Sequence, residues 1–226
     1  MANISELQKL AGQLGLTYMA GGDVDLNKEA LSNLDYLKYV LETELAARER
    51  EALARRRKAS HIPHKAFERG RLNKGVAWQI EQIESLRFID DAEDLIIIGR
   101  CDTGKTSLAA HIGELALRAG ERVVYYNVDD FLQIIRNKDK TDKYHRKFNY
   151  ILTCSVIIID ELMYVSLSED DLPLFYRAIN FIKEERSVIF ITNRELSEWQ
   201  QTAEDKHLMQ TLADKISSDS QLIRLS

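Results

Sequence analysis

From residue 94 onward the chain alternates unbroken apolar runs with amphipathic stretches. Leu95-Ile96-Ile97-Ile98, Val156-Ile157-Ile158-Ile159 and Val188-Ile189-Phe190-Ile191 contain no polar position. Runs without a polar face predict strands buried on both sides, hence a mostly parallel sheet covered by helices. Strands are predicted at 94–98, 121–127, 155–159, 187–192 and 221–225, with helices between them. Before residue 94 the pattern is helical only. Residues 4–14 and 27–58 predict two helices separated at Gly21-Gly22. In the second, Leu31, Leu34, Leu37, Leu41 and Leu45 recur every three or four positions as one apolar stripe, expected to serve a small helical core or a partner contact. Ile62-Pro63-His64 breaks that helix. Residues 59–75, with Pro63, Gly70 and Gly75, read as a basic linker, and 76–89 as a short helix. The expected organisation is a helical domain at 1–58, a linker at 59–75 and an α/β domain at 76–226.

Chemistry enters at the end of the first strand. Gly99-Arg100-Cys101-Asp102-Thr103-Gly104-Lys105-Thr106 fits the Walker A pattern, between a predicted strand and a helix beginning near Ser107. Such a turn converges backbone N–H groups on anionic oxygens. Lys105 is expected to reach the terminal phosphates of ATP, and Thr106 to ligate Mg²⁺. Residues 99–107 are the expected nucleotide contacts. Asp102 stands where many such loops carry Gly. Asp tolerates left-handed backbone, so the turn can form, but its carboxylate opposes anion binding.

The run at 156–159 ends in Asp160-Glu161, a Walker B pattern. Asp160 is the expected metal-holding carboxylate and Glu161 the general base for an attacking water, which points to hydrolysis. Asn193, after the run at 188–191, sits at the position expected to sense the terminal phosphate or the water. A cation acting on a neighbouring subunit's nucleotide is sought in Leu212-Ala213-Asp214-Lys215-Ile216. Lys215 offers a point charge without the planar fork of Arg, and Arg194 and Arg186 are alternatives.

Composition adds limits. With 226 residues, 45% of them hydrophobic, the chain can bury a sizeable core. No apolar stretch approaches a membrane span. The N-terminal residues lack a signal-peptide pattern, and two cysteines suggest neither a disulfide framework nor a metal site. A cytoplasmic location is expected. The net charge of −5 is uneven: between Arg48 and Lys74 ten Lys/Arg face three Glu, a local +7 that leaves −12 elsewhere. Such asymmetry hints at nucleic acid. Arg55, Arg56, Arg57 and Lys58, with Lys65, Arg69, Arg71 and Lys74, are candidate phosphate contacts. A second patch contains Lys138, Lys140 and Lys143, with Arg136, Arg146 and Lys147, interleaved with Tyr144 and Phe148.

Together these residues resemble the IstB-like ATP-binding proteins, the transposition helpers of insertion sequences, and their DnaC-like helicase-loader relatives. The resemblance is carried by Glu44-Leu45-Ala46-Ala47-Arg48-Glu49-Arg50, by Leu86-Arg87-Phe88-Ile89 and the strand after it, by Ile158-Ile159-Asp160-Glu161-Leu162, and by Thr192-Asn193-Arg194-Glu195-Leu196-Ser197-Glu198-Trp199. It implies a P-loop NTPase core of the AAA+ type, its parallel sheet flanked by helices, after a small all-α N-terminal domain. It further implies ATP and Mg²⁺ as cofactors, homo-oligomers on double-stranded DNA, and a cognate transposase as partner. A replicative helicase is the alternative partner, and a weakly hydrolysing DNA scaffold the alternative activity. Asp102, Met163 in place of a usual Gly, and Lys215 in place of a usual Arg depart from the family pattern.

Overall fold

The structure, a computed structural model, describes residues 4–25, 32–71, 74–164 and 166–226, with no side chain described at Arg71. It divides into two compact units, one up to Arg55 and one from Arg56 to Ser226. Residues 27–31 of the second predicted helix, Leu31 among them, lie outside the described residues.

The first unit holds α1 (Ile4–Gln13), α2 (Thr17–Gly21) and α3 (Asn33–Ser60) as far as Arg55. Helix α2 is an addition to the predicted pair. It has no side-chain N-cap of its own. The buried Glu44 carboxylate substitues for one, accepting the backbone N–H groups of Thr17 (2.9 Å), Tyr18 (2.9 Å) and Met19 (3.3 Å) while pairing with Arg48 (2.9 Å). Burial pushes this carboxyl up, but Arg48 and the three N–H donors outweigh it and hold the group below the usual Glu range. The leucine stripe does not form this unit's core. Leu34, Leu37, Leu41 and Leu45 are all exposed, and α3 buries Val40, Glu44 and Ala47 instead.

The second unit is built on five parallel strands in the order β2-β3-β4-β1-β5: β1 (Asp94–Gly99), β2 (Val123–Asn127), β3 (Val156–Leu162), β4 (Ser187–Thr192) and β5 (Ser220–Leu225). All five predicted strands are present. Helices α6 (Lys105–Ala119), α7 (Val128–Asn137), α8 (Asp142–Ile151), α9 (Asp171–Ile182) and α10 (Lys206–Ser217) connect them. Ile96, Ile157, Ile159, Val188 and Phe190 join Phe131, Phe175, Trp199 and Leu212 in the core. The helix predicted at 76–89 is two helices, α4 (Lys74–Ile83) and α5 (Arg87–Asp90), because Leu86 adopts a left-handed φ of 63° between them.

The segment read as a linker belongs to the second unit. Phe67 stacks on His111 of α6, with ring centroids 5.1 Å apart. Glu84 accepts from His111 Nε2 (2.7 Å) and pairs with Arg69. The amino ends of the strands are tied by a buried ion pair. Lys183 Nζ lies 2.5 Å from Asp94 Oδ2 and also donates to the carbonyls of Lys215 (2.6 Å), Ile216 (3.3 Å) and Ser218 (3.1 Å). Asp94 Oδ1 accepts Val188 N at 2.7 Å. One lysine thus joins β1, α9 and the end of α10.

Candidate nucleotide site

The site forms at the carboxyl ends of β1, β3 and β4, where ligands of open parallel sheets bind. The turn after β1 closes tightly on itself. A Cβ on Gly99 would sit 2.5 Å from the Leu225 carbonyl and 2.6 Å from Thr103 Oγ1, so only glycine fits. Asp102 (φ 61°) and Gly104 (φ 88°) both take left-handed backbone, and α6 starts at Lys105. Asp102 therefore satisfies the turn, as its residue type allows. Thr103 Oγ1 donates to the Arg100 carbonyl (2.9 Å) and stabilises the loop from within.

Lys105 Nζ donates to the carbonyls of Gly99 (2.8 Å) and Arg100 (2.6 Å). Burial lowers its pKa from the usual lysine value, while Cys101, Asp160 and Asp102 pull the other way. Thr106 Oγ1 donates to Asp160 Oδ2 at 2.8 Å, which brings the two predicted metal-binding residues together across 54 positions of sequence. A hydroxyl and a carboxylate are hard oxygen donors, the kind Mg²⁺ takes alongside substrate phosphates.

Asp160 and Glu161 lie inside β3, which continues three residues beyond the predicted end, to Leu162. The pairing of β3 with β4 shifts register between Ile159 and Leu162, and Glu161 has φ 62°. Such irregularities re-aim side chains beside active sites. Here Asp160 is buried and Glu161 exposed. The Asp160 carboxylate is fixed on both oxygens: Oδ1 accepts Glu161 N (2.7 Å), and Oδ2 accepts the Tyr125 hydroxyl (2.7 Å) as well as Thr106. Tyr125 was not among the predicted residues. It lies on β2 opposite Ile158, and no motif spacing marks it. Asn193 Oδ1 is buried and has no hydrogen-bond partner among the described protein atoms, an acceptor left open beside the constellation.

Beside the loop lies a cavity of about 320 Å³, walled by Phe67, Val76, Thr103, Gly104, Ser107 and Arg224. Arg224 is held by a bidentate pair with Glu195 (3.1 and 3.0 Å).

The candidate trans-acting cations separate clearly. Arg186 donates to the Leu152 carbonyl (2.9 and 2.6 Å) at the start of β4, the end of the strand remote from the phosphate loop. It is a structural residue here. Lys215 lies on α10, its carbonyl bonded to Lys183, which reaches Asp94 at the start of β1. That is again the sheet end opposite the loop, so Lys215 cannot serve its own subunit's nucleotide. Arg194 follows β4 next to Asn193, its N–H donating to Thr192 Oγ1 (3.2 Å).

Part of the basic cluster is engaged within the protein. Arg56 Nη2 donates to the Leu117 carbonyl (3.2 Å), and Arg57 pairs with Glu114 through Nε (3.1 Å), so both arginines are turned onto α6 and not outward. Two cations in sequence positions suited to a solvated arm are captured by acceptors 57 and 61 positions away. Arg55 pairs with Glu51 (3.3 Å), and Arg69 with Glu84. Lys58, Lys65 and Lys74 are exposed, while the side chain of Arg71 lies outside those described. In the second patch Arg136 is locked to Asp171 in a two-pronged pair. Lys138 sits over the Phe148 ring (5.1 Å) and beside Asp139 (3.1 Å), and Lys143 over Tyr144 (5.6 Å). Lys140 and Lys143 are exposed.

Sheet order, phosphate loop and paired Thr106–Asp160 define a P-loop ATP-binding fold of the AAA+ type. Solved structures agree on the fold. The DnaC helicase loader aligns with a TM-score of 0.57 at 18% identity, over 76% of this chain and 99% of that one. AMPPCP-bound DnaA from Aquifex aeolicus aligns with a TM-score of 0.60 at 20% identity, over 74% of this chain and 52% of that one. The chain belongs to the family described as IstB-like ATP binding protein, which matches residues 10–226. A Bacillus thuringiensis subsp. berliner protein named for ATP binding and insertion sequence IS232 is 27% identical over 93% of this chain and 84% of its own length. A Bacteroides fragilis protein named for ATP binding and an IS21-like insertion sequence is 23% identical over 89% and 78%. Among the described residues no helix is long and apolar enough to cross a membrane.

Proposed function

We propose that this chain is a Mg²⁺-dependent ATPase that assembles on double-stranded DNA and assists a cognate transposase in capturing its target, with hydrolysis governing assembly or release. The observation that carries the ATPase reading is the Thr106–Asp160 bond at 2.8 Å, with Glu161 on the adjacent exposed position and the Asn193 carbonyl buried without a partner. Mg²⁺, when bound, neutralises phosphate charge. The protein's own residues do the rest. The amides of the loop and the N-terminus of α6 hold the phosphates. Lys105 exchanges the carbonyls of Gly99 and Arg100 for phosphate oxygens. Asn193 accepts from the attacking water and orients it. Glu161 takes its proton. In this reading Lys215, remote from its own loop, is the cation supplied to the neighbouring subunit of a homo-oligomer.

The partnership with a transposase rests on family membership and on relatives named for insertion sequences. DNA contact falls to exposed cations, among them Lys58, Lys65, Lys74, Lys140 and Lys143, with Arg55 when Glu51 releases it. About six phosphate contacts predict that raising salt from ~50 to ~200 mM weakens duplex binding by roughly 10³, with little dependence on sequence. Fluorescence anisotropy of a labelled duplex with ATP present measures this. Binding that held its strength across that range would refute phosphate contact.

A further inference from the structure

Asp160 is buried, and a buried carboxylate is held by the donors around it. An ionised carboxylate offers about four acceptor sites, two on each oxygen. Three are taken: Glu161 N on Oδ1, and both Thr106 Oγ1 and the Tyr125 hydroxyl on Oδ2. The Glu161 and Thr106 bonds follow from the two nucleotide-binding motifs. The Tyr125 bond does not, because it comes from the neighbouring strand β2, where Tyr125 pairs in register with Ile158 and Asn127 with Asp160.

We propose that Tyr125 is a positioning residue for the divalent cation that accompanies ATP. By sharing Oδ2 with Thr106 it locks the Asp160 carboxylate in one orientation and fills that oxygen's second lone pair. Asp160 then cannot chelate a metal with both oxygens and meets it through Oδ1 alone, directly or through metal-bound water. This suits Mg²⁺, which gives up its waters reluctantly. Partners one shell out from a metal typically contribute 10- to 100-fold in metal affinity. The inference rests on the reading of this site as a magnesium–nucleotide site.

The test uses the full chain and a fluorescent ATP analogue, with binding measured in EDTA and across a Mg²⁺ titration. Tyr125→Phe removes one hydroxyl and keeps the ring. The expected result is a rise of about tenfold in the Mg²⁺ concentration giving half-maximal binding, with affinity in EDTA unchanged and the thermal midpoint lowered by only a few degrees. In an Asp160→Asn background the same substitution is expected to add nothing, since its effect runs through that carboxylate. An unchanged Mg²⁺ requirement, an equal loss in both arms, loss of the fold, or a full effect in the Asp160→Asn background would each overturn the proposal. Wild-type binding that gained nothing from Mg²⁺ would instead strike the underlying reading of the site, and the proposal with it.

Discussion

Glu161→Gln is expected to lower ATP turnover by about 10²–10⁴-fold while leaving ATP bound. The substitution keeps side-chain length and one acceptor oxygen but cannot take a proton from water. Glu161 is exposed, its side chain makes no hydrogen bond among the described residues, and it lies one residue from the carboxylate that Thr106 and Tyr125 fix. Gln at the same left-handed position, φ 62°, meets the same backbone strain, so the effect separates chemistry from folding. Steady-state phosphate release beside analogue binding reads the two quantities. Turnover unchanged by the substitution would remove Glu161 as base and favour a weakly hydrolysing scaffold, a reading that the carboxylate of Asp102 in the phosphate loop also motivates.

The second large effect is on stability. Lys183→Met is expected to cost about 3–5 kcal/mol, because it leaves Asp94 buried with its charge uncompensated. The lysine and the aspartate are nearly sealed from solvent, at 6% and 1% side-chain exposure. The variant also loses three donations to carbonyls at the end of α10. The pH dependence has a definite sign. Burial pushes Asp94 up to about 6 even with Lys183 beside it. A carboxyl whose folded pKa is raised contributes stability below its unfolded pKa, near 3.8, and loses it as pH rises through the folded value. Without Lys183 the folded pKa rises further, so the deficit of the variant is largest at neutral pH and shrinks as pH falls toward about 4. Asp94→Asn added to Lys183→Met should recover part of the loss at pH ~7. Urea unfolding at several pH values checks this, and a variant equally weak at every pH would contradict it.

Much of the fold could be read from the sequence because its cues are local. Unbroken apolar runs such as Val156-Ile157-Ile158-Ile159 announce strands buried on both faces. The phosphate loop announces itself by spacing. What escaped was set by contacts distant in sequence. The buried Asp94–Lys183 pair joins residues 89 positions apart, each polar and unremarkable in its own segment. Tyr125 reads as one more strand aromatic until its register places it against Asp160. Arg56 and Arg57 look like a solvated cationic arm, yet Glu114 and the Leu117 carbonyl claim them. The leucine stripe of α3 has perfect helical spacing and still faces outward, because periodicity shows which residues share a face and not what covers it. Glu44, a residue that local pattern assigns to the solvent, is buried as the cap of another helix.

The measurement that reaches the central claim most directly is ATP turnover by the wild-type chain with and without double-stranded DNA, in Mg²⁺. A DNA-coupled ATPase predicts turnover that rises on adding duplex and disappears in Glu161→Gln. Duplex bound in the presence of ATP with no turnover in either condition would contradict it.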